Sequence, residues 1–217
     1  MSLAITQLSV RAGEFRLSDV SLAITTGHCG VLMGRSGSGK TTLMEALCGL
    51  RKVETGGITL DDQRIDHLRP GERQIGLVPQ DTVLFPHMTV REHLEFGPRL
   101  QKWQKEEINK RVESLAASLS IIELLDRRPR GLSGGEAKRV AIGRAIAGRP
   151  KLLCLDEALT GLDREAHEGM MVLLKDVIQR ESLTTLHITH RQEEAEFLGD
   201  LNYELNDGQI SLLTSFT

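Results

Sequence analysis

The chain of 217 residues has little of what marks secreted, membrane-spanning or nucleic-acid-coating proteins. Cys29, Cys48 and Cys154 are its only three cysteines, an odd number at wide spacing with no CxxC pair, so we expect reduced thiols in a cytosolic protein, packed as small core residues. No apolar run, of which residues 152–155 are typical, approaches the ~18 residues of a membrane span. The opening Met1-Ser2-Leu3-Ala4-Ile5-Thr6 has neither the basic stretch nor the long apolar stretch of a secretory leader. Positive charge is not in excess: 27 Lys and Arg stand against 30 Asp and Glu, a formal net charge of −3. Such a balance offers no basic face to displace condensed counterions, so no nucleic-acid partner is expected. Repeats, low-complexity tracts and Pro- or Ser-rich linkers are missing too, so a second lobe would have to be an insertion. What is there, 40% hydrophobic and 26% charged residues, suits one buried core and excludes disorder as the main state.

The patterning divides the chain into four regions. Residues 3–33 read as short strands broken at Gly13 and Gly27 and ending in Val31-Leu32-Met33. A helix follows from about Thr41, with Gly49 placed as its stop. Residues 56–80 return to strands, around Ile58-Thr59-Leu60 and Ile75-Gly76-Leu77-Val78. From Thr89 to about Ala147 the chain reads as helical: Thr89 and Glu92 have capping-box spacing, and Ile108, Val112, Leu115 and Leu119 mark one buried face. Residues 152–155 then read as a strand buried on both sides, Ala166, Met170, Leu173 and Val177 as a helix face, and residues 183–189 as a further strand. Strands alternating with helices predict a parallel α/β sheet, into which the helical stretch is inserted.

Between the third strand and the first helix lies Gly34-Arg35-Ser36-Gly37-Ser38-Gly39-Lys40-Thr41-Thr42, which matches GxxxxGK[ST] in the context this motif needs, after a strand and opening a helix. Glycines let successive backbone N–H groups converge on an anion, and the helix dipole adds positive potential there. Lys40 is expected to reach the β- and γ-phosphates of a nucleotide, and Thr41 to offer its hydroxyl to Mg2+. The strand at residues 152–155 ends in Asp156-Glu157. A parallel sheet delivers such residues to the ligand crevice, where Asp156 can hold the metal and Glu157 can deprotonate an attacking water. A third element, Leu132-Ser133-Gly134-Gly135-Glu136, combines a capping box before the run 137–147 with a Ser-Gly-Gly surface suited to phosphate.

Taken in this order, the glycine loop, Gln80, Leu132 to Glu136 and Asp156-Glu157 resemble the nucleotide-binding subunit of an ATP-binding-cassette (ABC) transporter, over essentially the whole chain. The resemblance implies a single P-loop NTPase domain: a RecA-like core at about 1–85 and 150–217 with an N-terminal antiparallel β region, and a helical subdomain at about 86–149. It implies a homodimer, head to tail, clamping two Mg-ATP molecules. Each site would comprise the Walker A residues 34–42, Gln80, Asp156, Glu157 and His190 of one subunit, with Ser133, Gly134 and Gly135 of the other. Gln80 corresponds to the glutamine that contacts Mg2+, His190 to the histidine at the γ-phosphate, and residues 159–163 to the loop that follows the catalytic glutamate.

The same resemblance implies partners: integral-membrane permease subunits and an extracytoplasmic solute-binding protein, with the ATPase peripheral on the inner face of the cell membrane and transport directed inward. Residues 84–92 resemble the segment that receives a permease in importers, so Phe85 and Met88 are expected at an apolar docking face. The chain departs from the family at three places. Glu136 stands where Gln is common, and Ala158 where Pro follows the catalytic glutamate. Arg11 is followed by Ala12 where an adenine-stacking aromatic is usual, which leaves Phe15 as the expected substitute. With the chain ending at Thr217, no C-terminal regulatory domain is expected.

Overall fold

The computed structural model describes residues 3–213, which form two compact units. One comprises residues 3–77, 151–157 and 178–213, and the other residues 78–150 and 158–177.

In the first unit, β1 (Leu3–Ala12) and β2 (Phe15–Ile24) are antiparallel neighbours. Inward-facing residues change phase along β1, from Leu3 and Ile5 to Leu8 and Val10. The cause is a bulge at Gln7, whose φ of 47° lies in the left-handed region and adds one residue to the strand. Asp19, at φ 57°, gives β2 the matching correction between Leu17 and Val20. With β4 (Val53–Leu60) and β5 (Gln63–Arg64) these strands make a four-stranded sheet in the order β2-β1-β4-β5.

The second sheet of this unit runs β10-β9-β3-β8-β7-β6. It comprises β3 (Cys29–Met33), β6 (Ile75–Val78), β7 (Leu152–Asp156), β8 (Thr185–Ile188), β9 (Leu201–Asn206) and β10 (Gln209–Leu213). The pairs β3/β8, β3/β9 and β7/β8 are parallel, and β9/β10 is antiparallel. Parallel strands covered on both faces need continuous apolar sequence, and every residue of β7 and β8 is buried. Cys29, Cys48 and Cys154 are buried and form no disulfide.

Helix α1 (Lys40–Cys48) follows β3 and ends where Gly49 takes φ 79°. Its last carbonyls, those of Ala46 and Leu47, each accept a 2.8 Å hydrogen bond from the buried Arg73 guanidinium.

The second unit holds α2 (Val90–Leu100), α3 (Lys105–Ser118) and α4 (Gly134–Ala147); α5 (Arg164–Arg180) begins in it, and α6 (Gln192–Leu198) belongs to the first unit. The expected capping box closes α2: Thr89 Oγ1 accepts from Glu92 N at 3.2 Å, and the Glu92 carboxylate accepts from Thr89 N at 2.6 Å. Ile108, Val112, Leu115 and Leu119 are all buried, as their spacing requires. Gly143 lets α4 approach α2 closely, since a Cβ there would lie 2.5 Å from Leu94 Cδ2 and 2.8 Å from Leu119 Cδ1. In α5 the buried face differs from the expected one. His167, Met170, Met171, Leu174, Val177 and Ile178 are buried, whereas Ala166 and Leu173 are only half-buried. Assigning the face from one apolar row missed its width, for it also takes in Met171, Leu174 and a histidine. Among the described residues no helix is long and apolar enough to cross a membrane.

Candidate functional site

The glycine loop leaves β3 after the half-buried Met33 and enters α1 at Lys40. Gly39 occupies the N-cap at φ 103° and provides no side-chain cap, and the first turn of α1 carries no acidic residue. The N–H groups there therefore have no competing side-chain acceptor, which is the condition for binding an anion. Two further features fit a phosphate. Ser38 Oγ is buried without a hydrogen-bond partner. Lys40, only 6% exposed, folds its ammonium back onto the carbonyls of Gly34 and Arg35, at 2.9 Å each. Gly34 admits no side chain, because a Cβ would stand 2.8 Å from Ser38 Oγ and 2.5 Å from Leu205 O.

β7 brings Asp156 to the same unit, with 8% exposure and a hydrogen bond from Thr41. Burial pushes its carboxyl above the usual carboxylate range, and the neighbouring Glu157 charge adds to this; Thr41 and the Lys40 charge act in the opposite sense. A hydroxyl beside a carboxylate suits a hard cation that keeps water and phosphate among its ligands. Asp156 pairs with Ile188 across the β7/β8 ladder, so the residues just beyond both strands emerge side by side. Glu157 N donates to Ile188 O at 3.0 Å, and Glu157 Oε2 lies 3.3 Å from Nδ1 of His190, whose side chain is 54% exposed. Glu157 also has φ 46°, a left-handed conformation that a glutamate adopts only when its surroundings impose it. Phe15 places two ring carbons 2.8 Å from where a Cβ on Gly39 would be, so its ring lies against the loop.

The remaining sequence-selected residues fall in the second unit. Gln80 is exposed just beyond β6. Ser133 caps α4: its Oγ accepts from Glu136 N at 3.3 Å and the Glu136 carboxylate accepts from Ser133 N at 2.7 Å. That backbone N–H holds the Glu136 carboxyl below its usual range. Ser133, Gly134 and Gly135 line a cavity of 620 Å³ together with Gly161, Leu162 and Asp163, so this unit juxtaposes two segments selected independently. Asp163 in turn caps α5, its Oδ1 accepting from Ala166 N at 2.9 Å. Phe85 and Met88 are half-buried. The Phe85 ring is stacked on His93, tilted against Phe96 and covered by the Arg144 guanidinium at 5.4 Å, so it belongs to a packed cluster.

Sequence patterning did not single out two supporting side chains. The Lys138 ammonium donates to Ala158 O at 2.7 Å in a buried position, holding the segment after Glu157 against α4. His93 is buried and bridges two backbone groups: Nδ1 faces Thr89 O at 2.7 Å and Nε2 accepts from Phe85 N at 2.8 Å. Neither residue type carries a periodic or motif signal at these positions.

A buried parallel strand, a glycine loop whose helix start has no capping side chain, and a lysine at that helix start define the chain as a P-loop NTPase. Residues 17–160 match the family model described as ABC transporter, and the chain belongs to that family. It is 40% identical, over 196 residues, to the sn-glycerol-3-phosphate import ATP-binding protein UgpC of Bartonella bacilliformis, covering 90% of this chain and 57% of that protein. The corresponding protein of Rhizobium meliloti is 43% identical over 88% of this chain and 55% of its own length. The spermidine/putrescine import ATP-binding protein PotA of Nitratidesulfovibrio vulgaris is 40% identical over 92% of this chain and 54% of its own. The chain thus spans little more than half the length of these relatives.

Proposed function

We propose that this chain is the ATP-binding and hydrolysing subunit of an ABC importer. It would be a RecA-like core with a helical insertion, acting as a head-to-tail homodimer on separate permease subunits at the inner face of the membrane. The observation that carries the proposal is the grouping of Lys40, Thr41, Asp156, Glu157 and His190 in one unit behind a loop built for phosphate.

In this reading the loop N–H groups, Ser38, Thr42 and Lys40 bind and orient the triphosphate, with Lys40 exchanging its two carbonyl partners for phosphate oxygens. Thr41 and Asp156, joined by Gln80, would hold Mg2+, which when bound neutralises charge on the β- and γ-phosphate oxygens. Glu157 accepts a proton from the attacking water at its carboxylate, and His190 orients that carboxylate and meets the γ-phosphate. Ser133, Gly134 and Gly135 of the partner subunit complete the site at the γ-phosphate. ATP then favours the closed dimer, and hydrolysis removes the group that bridges it.

The cargo is not a property of this chain's shared part. It is equally similar, at 40%, to ATPases named for import of an anionic glycerol phosphate and of cationic polyamines, so selectivity would belong to permease and solute-binding subunits. The test is Glu157→Gln. Nucleotide binding should persist while turnover falls ~10²- to 10⁴-fold, and an ATP-dependent dimer should accumulate. Near-normal ATPase activity in the purified variant would remove Glu157 from the mechanism.

A further inference from the structure

Two buried polar side chains in the first unit take no part in the mechanism above. His187 lies in β8 and Glu194 in α6, their side chains 0% and 3% exposed, and His187 Nε2 is 2.7 Å from Glu194 Oε2. Strand alternation explains how they meet. Leu186 and Ile188 pack in the core that also holds Leu43 and Leu47 of α1, so His187, between them, points to the opposite face of the sheet. There α6 turns Glu194 inward together with Ala195 and Leu198, and a carboxylate occupies a helix face that is otherwise apolar. An ionised carboxylate only accepts, so Nε2–H donates this bond. Nδ1 is buried without a hydrogen-bond partner, and the orientation of the ring therefore depends on Glu194.

Such a pair is a poor source of stability, because the cost of taking a charge out of water offsets the attraction gained. What it supplies is a fixed distance and direction between two elements, which apolar contact leaves loose. β8 and α6 are joined by Thr189, His190 and Arg191 alone. Thr189 N donates to Leu32 O of β3 at 3.3 Å, and Thr189 Oγ1 accepts from Arg191 N at 3.1 Å. His190 stands between these two residues and carries its ring to 3.3 Å from Glu157. The bond from His187 to Glu194 spans this turn and closes it across its base.

We propose that His187 and Glu194 are a positioning pair for His190: their hydrogen bond sets the turn so that the His190 ring meets Glu157 and the γ-phosphate. Both act through His190, and neither acts on the nucleotide itself. The proposal rests on the roles given above to Glu157 and His190, and adds what holds the histidine in place.

The test follows kcat and KM for ATP, nucleotide affinity and thermal unfolding on the full chain. The double replacement His187→Leu with Glu194→Leu removes both partners together, so no buried charge is left unpaired and the melting temperature should not fall. Its kcat should drop about tenfold to a hundredfold, the cost of a misplaced group, with nucleotide affinity unchanged within about twofold. His187→Gln keeps an N–H donor near the place of Nε2 and should retain kcat within about threefold. In a His190→Ala background the double replacement should cause no further loss of the residual turnover, since the pair has nothing left to position. If the double replacement does not fold, Glu194→Met, which leaves a neutral imidazole in place of a buried charge, is assayed well below its melting temperature and should show the same loss. Full turnover in the variant without the pair, an equal loss in His187→Gln, or a second loss of the same size on top of His190→Ala overturns the proposal. Full turnover by His190→Ala alone would instead overturn the role of His190 on which it rests.

Discussion

At the scale of single residues, Asp156 shows a site working against the stability of its own fold. Its carboxyl is raised by burial and by Glu157. A group with a raised native pKa contributes stability only while protonated, and loses that contribution as pH rises through the native value. At neutral pH the charge is therefore a cost, and in the absence of nucleotide and Mg2+ Asp156→Asn should melt higher, by ~2–4 °C for each kcal/mol relieved. The gain should shrink on acidification toward pH 4, while the variant loses Mg-dependent ATPase activity; a lower melting temperature at pH 7 would contradict this account. His93 has the opposite sign. Burial lowers its pKa, with the Arg144 and His87 charges adding to the effect, while its hydrogen bond to Thr89 and the Glu92 charge oppose it. Protonation would turn Nε2 from acceptor to donor against Phe85 N. Stability should fall as pH drops below the ordinary imidazole value near 6.5. His93→Gln should be less stable at pH 7.5 and flatter between pH 7 and 5, read by thermal melts across that range.

At the scale of elements, legibility followed the locality of the cause. Thr89 with Glu92 and Ser133 with Glu136 declare the starts of α2 and α4 within four residues, and Gly49 declares the end of α1. The phosphate loop is equally local. Long-range causes were invisible: Arg73 reaches back to close α1, and no feature near residue 73 signals it. α6, β9 and β10 were missed although Leu201, Tyr203 and Leu205 alternate ahead of an Asp207-Gly208 turn, a hairpin signal that was available. The packing of α4 on α2 is another long-range matter. Gly143→Ala must displace the ends of Leu94 and Leu119, and we expect a loss of about 1–3 kcal/mol in denaturant unfolding. An unchanged midpoint would mean that both leucines relax freely.

At the scale of the whole molecule, the proposed site is shared between subunits, which makes its two halves separable by mutation. Lys40→Ala removes a charge-assisted contact within the subunit and should weaken nucleotide binding directly. Ser133→Arg should leave nucleotide affinity of the monomer intact, because in this reading Ser133 completes the partner subunit's site and not its own. The bulky cation should block ATP-dependent dimerisation, followed by size-exclusion chromatography alongside a binding assay. Equal loss of monomer affinity in the two variants would end the case for a site completed in trans.

The strand order has a consequence for how the protein is made. β3, which launches the phosphate loop, is flanked by β8 and β9, both from the last fifth of the chain. At translation rates of about 5–20 residues per second, β3 leaves the ribosome on the order of ten seconds or more before either neighbour exists. Throughout that interval its N–H and C=O groups are an open template for pairing with other chains. The segment most committed to nucleotide chemistry is thus the one most dependent on shelter during synthesis, and a ribosome stalled before residue 185 would carry a nascent chain whose central strand has no legitimate partner.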